Sequence, residues 1–257
     1  MSLELSLTDA RKTGNEINLT VEREYESGDE IVLKSDGAGR HAVIRFDETL
    51  PPTLVYLSGP EFRFPIPFAE SRVGYSPRAF AGARHLISAR YATEREISAY
   101  RNLALNPHDF GSNASAYPHA EANVVTRGET AFAARNAVDG LTASDGHGEW
   151  PWTSWGINRD PEARITVRFG RTVRLDRAAI YIRTDFPHDA WWRSATLAFS
   201  DGSETLLTLE KREGAQGFSF PERDVEWVRL ERLAKAEAPS PFPALTQIEL
   251  YGTETFS

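Results

Sequence analysis

Hydrophobic and polar residues alternate over short stretches in the first half of the chain. The stretches are GDEIVLKSD, HAVIRFD, TLVYLSG, FRFPIPF and ARHLISARYA, and Gly, Asp and Pro residues lie between and within them. Successive side chains of a strand point to opposite faces, so a period of two is typical of strands with one buried face. The pattern predicts a β-rich N-terminal region.

A second series of such stretches fills the chain beyond its midpoint. It comprises ARITVRFG, VRLDRAAIYIR, SATLAFSDGSETLLTLE, QGFSFP, VEWVRLERL and LTQIELYG. Asp201 and Gly202 separate two apolar runs and suit a hairpin turn, in which a positive φ is needed. Short strands that recur about every ten residues favour an antiparallel β-sandwich.

One helix is predicted between the two series. Thr93 can cap it and Glu96 can complete a capping box, and the apolar residues that follow predict a helix near 94–105. The next stretch, PHDFGSNASAYPHA, has the Pro, Gly, Ser and Asn content of a linker. We therefore predict an all-β protein with two β-sandwich domains, residues 1–117 and 118–257, and one short helix near their junction.

Composition narrows the class of protein. The 257 residues carry a net charge of −8, whereas a general nucleic-acid binder needs a basic surface. The absence of cysteine excludes disulfides and thiol chemistry. The N-terminal stretch has no signal-peptide pattern, and no apolar run approaches the ~18 residues of a membrane helix. We expect no membrane insertion, a cytoplasmic location for the chain as it stands, and a secreted bacterial protein if a signal has been removed.

Several motifs of the C-terminal region resemble one known family. AARNAVDG, Thr142, the WTS of Trp152–Ser154 and the terminal LTQIELYG together resemble the discoidin or coagulation factor type C family over about residues 119–252. The resemblance implies a galactose-binding-like jelly roll of the kind common among carbohydrate-binding modules. The loop between Gly140 and Trp152 is longer than is usual in that family.

The same resemblance implies a structural Ca²⁺ ion. Its ligands would be Asp139, Thr142 and Glu249, with Asn136 and Asp145 as weaker candidates. Ca²⁺ accepts six to eight oxygen ligands in flexible geometry, which a turn with several carbonyls can supply. In the alternative interpretation, Asp139 only caps its own turn and Glu249 is an exposed strand residue.

Two loops rich in aromatic residues are the candidate ligand site. The first, NAVDGLTASDGHGEWPWTSWG, holds three of the chain's six tryptophans. We expect Trp152 to lie in the core and Trp150 to stack on a sugar ring beside His147. The second, RTDFPHDAWWRSA, contributes His188, Asp189, Trp191, Trp192 and Arg193. In the alternative interpretation, these rings close the end of the sandwich and the polar residues shape turns.

The predicted function is therefore non-catalytic carbohydrate binding through the loops of the C-terminal sandwich. A structural or protein-interaction module of the same fold is the rival interpretation. A carbohydrate-active enzyme is the third, because His188 lies beside Asp189 and a His–carboxylate pair can act as a general base. However, the chain contains no GxSxG, HExxH or phosphate-loop motif.

Overall fold

The computed structural model describes residues 2–184 and 190–255. Strands dominate these residues, and the one α-helix among them, α1, has five residues (Glu94–Ser98). The all-β prediction is thus confirmed. No helix in the described ranges is long and apolar enough to span a membrane. In chain order the strands are β1 (Leu3–Leu7), β2 (Ala10–Gly14), β3 (Glu16–Val21), β4 (Glu30–Lys34), β5 (Arg40–Arg45), β6 (Thr53–Leu57), β7 (Glu61–Pro65), β8 (His85–Tyr91), β9 (Arg101–Asn102), β10 (Ala116–Tyr117), β11 (His119–Ala122), β12 (Trp155–Gly156), β13 (Ile165–Ile182), β14 (Trp192–Phe199), β15 (Glu204–Thr208), β16 (Gln216–Lys235) and β17 (Ala244–Glu254). Short 3₁₀ helices lie at Ala69–Arg72, Thr126–Gly128, Thr130–Phe132 and Ala134–Ala137.

Two antiparallel sheets form the N-terminal sandwich. One has the strand order β2-β1-β4-β7 and the other β10-β6-β5-β8-β3. The alternation read from the sequence sets their inner faces, since in β6 every second residue is buried. Phe46, Phe62 and Phe64 are the largest fully buried side chains of the shared core. The centroid of the Phe46 ring lies 5.9 Å from that of Phe62 and 5.5 Å from that of Phe64.

One curled antiparallel sheet forms the C-terminal unit. Its strand order is β12-β17-β13-β16-β14-β15, and β11 and β9 pair with β13 and β17. The 18-residue β13 contains register shifts between Arg168 and Val173 and between Leu175 and Arg177. Irregularities of this kind bend a strand, so the sheet wraps around a single core that contains Trp155 and Trp192.

The helix begins at the predicted residue but ends earlier than the sequence indicates. Thr93 Oγ1 accepts a hydrogen bond from the Glu96 backbone N–H at 3.3 Å, and a Glu96 carboxylate oxygen accepts one from the Thr93 N–H at 2.8 Å. The helix stops at Ser98 because Arg101 and Asn102 pair with β17 as strand β9. A pairing with the far end of the chain therefore overrides the local helical pattern.

The stretch predicted to be a linker is largely buried. Asp109 is fully buried and its carboxylate accepts hydrogen bonds from Asn113 and the Ala120 N–H, both at 2.8 Å. Arg135, in the C-terminal unit, donates to the backbone oxygens of Asp109 at 3.0 Å and Gly74 at 3.3 Å. The two sandwiches thus share a buried polar junction, and the division into residues 1–117 and 118–257 stands as a proposal.

Candidate functional site

A cleft opens where three strands of the C-terminal sheet reach the same edge. Its lining comes from the residues after Val125, from His147, from the end of β12, from Arg183 directly after β13, and from Phe242 to Ala244 at the start of β17. Gly156 pairs with Ala244 across that edge. We call this space of about 130 Å³ the Arg183 cleft.

Arg183 is held rigidly at the base of this cleft. Its side chain is buried, and its Nη2 donates a hydrogen bond to the backbone oxygen of Phe242 at 3.0 Å. Its backbone N–H donates to the oxygen of Ala244, also at 3.0 Å. A guanidinium presents its donors in a fixed plane, so this anchoring sets the direction in which Arg183 can bind a ligand oxygen.

Two aromatic rings, Phe132 and Phe242, line the cleft, and each is in contact with an arginine. The guanidinium carbon of Arg159 lies 4.4 Å from the centroid of the half-buried Phe242 ring. On the other wall, Arg127 lies 5.4 Å above the Phe132 ring and also pairs with Glu129 through hydrogen bonds. Cation–π contacts of this kind fix the orientation of both partners.

Gly156 permits the close approach that shapes the cleft. A Cβ atom at this position would lie 2.6 Å from Thr126 Oγ1 and 3.1 Å from the Cβ of Phe132. Any larger residue would push strand β12 away from the 3₁₀ helices that carry those side chains. The same Thr126 hydroxyl accepts a hydrogen bond from the Asn158 backbone N–H at 2.9 Å, which holds Asn158 at the rim.

The cleft therefore combines apolar ring faces with planar hydrogen-bonding groups. His147 and Asn158 are exposed at its rim, and Arg183 lies below them. An imidazole, a carboxamide and a guanidinium can each bind hydroxyl oxygens, while an aromatic face packs against C–H groups. This combination is suited to a small ligand that carries both kinds of surface.

The structure separates the residues that were predicted to bind a ligand. His147 lines the Arg183 cleft, whereas Trp150 lines a hollow between the two sandwiches together with Tyr75 and Pro77. Trp191 packs against the C-terminal core, Trp192 is fully buried, and Arg193 is exposed on β14. His188 and Asp189 lie outside the described residues.

The three clustered tryptophans have three different surroundings. Trp155 is the core residue: it is fully buried, and its indole N–H donates to the Val124 oxygen at 2.9 Å. Trp152, which was expected in the core, is half-buried and covers Gly146, where an added Cβ would lie 2.5 Å from the indole. Trp150 faces the junction. The loop thus packs against itself, the core and the N-terminal sandwich, and the Arg183 cleft uses none of its tryptophans.

The predicted calcium ligands do not assemble. Asp139 is buried and its Oδ2 has no partner, as a cation ligand would require, but Thr142 is exposed. Glu249 accepts hydrogen bonds from the hydroxyls of Tyr181 at 3.1 Å and Tyr251 at 2.9 Å. The residue of the last strand that contacts the Asp139 turn is Gln247 rather than Glu249.

Gln247 is the residue of β17 that contacts this turn. Its Oε1 accepts a hydrogen bond from the Gly140 N–H at 3.2 Å, so an amide stands where a carboxylate was expected. Of the weaker candidates, Asn136 binds the backbone oxygens of Thr130 and Ser154, and Asp145 is exposed. The residues present at this turn therefore do not fit the predicted Ca²⁺ site.

Asp139 gives the protein an unusual pH dependence. Burial raises the pKa of Asp139 to about 7, although the charge of Arg135 opposes the shift. A folded-state pKa above the unfolded one means that this group's stabilising contribution is complete below about pH 4 and is lost as the pH rises through about 7.

We expect Asp139→Asn to be more stable than the wild type by roughly 2 kcal/mol at pH 8, with the difference shrinking towards pH 4. Urea unfolding at the two pH values measures this, and Asp145→Asn, in the same loop but exposed, is the control. A variant that is less stable than the wild type at pH 8 would show instead that the carboxylate of Asp139 has a cationic partner.

Comparison with known proteins finds similarity only among solved structures. No protein-family model matches the chain, and no curated protein matches it. The family 32 carbohydrate-binding module of C. perfringens NanJ, in complex with galactose, matches with 18% identity and a TM-score of 0.42, over 60% of this chain and 99% of that one.

Two further matches are of the same kind. The lectin domain of lectinolysin, as a His 62 mutant complexed with Lewis b, matches with 15% identity and a TM-score of 0.45, over 61% of this chain and 99% of that one. A Streptococcus pneumoniae fucose-binding module matches with 18% identity and a TM-score of 0.40, over 61% and 98%. These identities and TM-scores are too low to carry an activity over to this chain.

Proposed function

We propose that this protein is a non-catalytic carbohydrate-binding protein that holds a sugar ring in the Arg183 cleft. The observation that carries the proposal is the meeting of an anchored guanidinium, an exposed imidazole and an aromatic ring in one small cleft. Three separate loops contribute Arg183, His147 and Phe242, and each of these side chains can contact a different part of a sugar.

The chemistry of a pyranose matches these groups. One face of the ring is lined by C–H bonds and packs against an aromatic side chain, here Phe242. The hydroxyls at its edge accept hydrogen bonds from the guanidinium of Arg183. They can either donate hydrogen bonds to the side chains of His147 and Asn158 or accept them. The cavity of about 130 Å³ is smaller than the ~300–1,000 Å³ of typical ligand sites, so it would enclose part of one ring or the end of a chain rather than the length of a polymer.

The same dimensions count against a protein partner at this cleft. A specific protein–protein interface buries on the order of 1,200–2,000 Å². The lining of the Arg183 cleft is concave, and its base is a buried side chain that only a small ligand can reach. The cleft is therefore a better fit for a monosaccharide unit than for a macromolecular surface.

A glycan array probed with matched variants tests the proposal. The wild type is expected to bind a defined set of glycans, and His147→Ala and Phe242→Ala are expected to bind the same set more weakly by about 1–3 kcal/mol. Neither change should affect folding much, because His147 is exposed and Phe242 keeps the backbone oxygen that holds Arg183.

Thr142→Ala is the control, since Thr142 is exposed in the same loop as His147 but does not line the cleft. It should bind like the wild type. If no glycan on the array binds, or if His147→Ala and Phe242→Ala both bind as the wild type does, the proposed function is wrong.

A further inference from the structure

In the N-terminal sandwich, the turn after β5 brings two carboxylates next to an imidazole at the start of β8. β5 and β8 are antiparallel, with Arg45 opposite Ser88. That pairing ends at Arg45, and the chain then turns so that Asp47 and Glu48 lie next to His85, the first residue of β8. The contact is present: Glu48 Oε1 accepts a hydrogen bond from the Leu86 N–H at 2.5 Å.

Asp47 completes the group. One ligand atom from each of Asp47, Glu48 and His85 lies within 4.8 Å of the others. Asp47 is buried, and its carboxylate is oriented by the Thr49 N–H at 2.8 Å and the Phe80 N–H at 2.6 Å. Among the described residues, no basic side chain forms an ion pair with either carboxylate, so two negative charges lie together without a counter-charge.

The imidazole of His85 is buried without a hydrogen-bond partner. Its side chain is only 1% exposed, and its Nε2 has no partner. The ring is fixed by Tyr25, which stacks on it with centroids 3.8 Å apart and planes 16° apart. Tyr25 Oη is a second buried polar atom without a partner at the same place.

An unpartnered buried nitrogen beside uncompensated carboxylates needs a compensating group, because a buried polar atom without a partner costs free energy. Bonds of about 2.0–2.2 Å from one ion to imidazole nitrogen or carboxylate oxygen hold two ligand atoms no more than about 4.4 Å apart. The three atoms lie within 4.8 Å of one another, so they would move closer by up to about 1.4 Å to reach the ~3.4 Å separation of two ligands in a tetrahedral Zn²⁺ site. Glu48 is exposed and gives an ion a route from solvent.

We propose that Asp47, Glu48 and His85 bind a divalent transition-metal ion, for which Zn²⁺ is the representative. Mixed imidazole and carboxylate ligands suit Zn²⁺ better than Ca²⁺ or Mg²⁺, which take oxygen ligands. Three protein ligands leave a fourth position for water. The ion would tie the end of β5 to the start of β8, in a part of the fold separate from the Arg183 cleft.

Zn²⁺ binding by the full chain tests this site. After dialysis against EDTA, added ZnCl₂ should bind at one equivalent in calorimetry and raise the Tm by a few degrees, since an ion that binds only the folded state stabilises it. Glu48→Gln removes one charged ligand at an exposed position and should weaken Zn²⁺ binding at least about ten-fold while the metal-free Tm changes little. Co²⁺ should also bind and give a visible absorption band that Glu48→Gln reduces.

Glu210→Gln is the matched control, because Glu210 is 75% exposed in the other sandwich. It should bind Zn²⁺ as the wild type does. His85→Ala should lose the site as well, but Glu48→Gln decides the question if that variant does not fold. The proposal is overturned if the wild type binds no Zn²⁺ at micromolar to millimolar concentrations. It is equally overturned if Glu48→Gln and the wild type bind Zn²⁺ alike.

Discussion

Glu254→Gln is expected to lower the free energy of unfolding by about 3–5 kcal/mol, because it leaves two partly buried guanidinium groups without their counter-charge. The Glu254 side chain is only 4% exposed, and its carboxylate accepts hydrogen bonds from Arg101 at 2.6 Å and Arg171 Nε at 2.7 Å. His41 of the N-terminal sandwich lies 3.3 Å away. The cluster thus joins both sandwiches and the segment between them.

The effect should depend on pH in a defined direction. Burial alone would raise the pKa of Glu254, but its contacts with His41 and Arg171 outweigh burial and hold the pKa well below its usual range. A depressed folded-state pKa means that the contribution is complete above about pH 4.5 and is lost as the pH falls towards the folded-state value. The wild type and Glu254→Gln should therefore become more alike in acid.

Urea unfolding at pH 7 and pH 3 measures both effects. Glu226→Gln, at an exposed position on β16, is the control and should change stability by less than about 0.5 kcal/mol. A loss below about 1 kcal/mol for Glu254→Gln at pH 7 would mean that the cluster contributes no more than a surface ion pair.

Trp155→Ala is expected to be comparably damaging, at about 3–5 kcal/mol. The indole is fully buried in the C-terminal core, its ring centroid lies 6.5 Å from that of Trp192, and its N–H bonds to the Val124 oxygen. The substitution leaves a large cavity and an unpaired carbonyl. Trp152→Ala should cost less, about 1–2 kcal/mol, because Trp152 is already half exposed.

Denaturant unfolding of the two variants side by side gives the comparison. The order of the two losses in free energy of unfolding matters more than their absolute values, since both residues lie in one loop and differ mainly in burial. If Trp152→Ala proves as destabilising as Trp155→Ala, the packing of the 146–156 loop described above is incorrect.

The strands were predictable from the sequence because the cause of the pattern is local. Alternating residues in TLVYL face the core in β6, and hairpin chemistry at Asp201 and Gly202 joins β14 to β15. The start of the helix was also local, since Thr93 and Glu96 cap each other. Its end was not predictable, because Arg101 and Asn102 pair with residues of β17 far along the chain.

The candidate site was less predictable because it depends on which loops meet. His147 was identified from its loop, but Arg183 and Phe242 come from two other segments whose meeting only the pairing of β13 with β17 determines. One signal in the sequence was Arg183, which directly follows the apolar run AAIYI at the end of β13. Likewise, spacing alone does not distinguish the buried Trp155 from the half-buried Trp152, and the nearness of Glu48 to His85 depends on how the turn after β5 folds against β8.

The most direct test of the central claim is a crystal structure of the protein with the glycan that binds best on the array. The account predicts a sugar ring in the Arg183 cleft, with one face against Phe242 and hydroxyls within hydrogen-bond distance of Arg183 and His147. A glycan bound at any other place, for example against Trp150 at the junction of the two sandwiches, would contradict it.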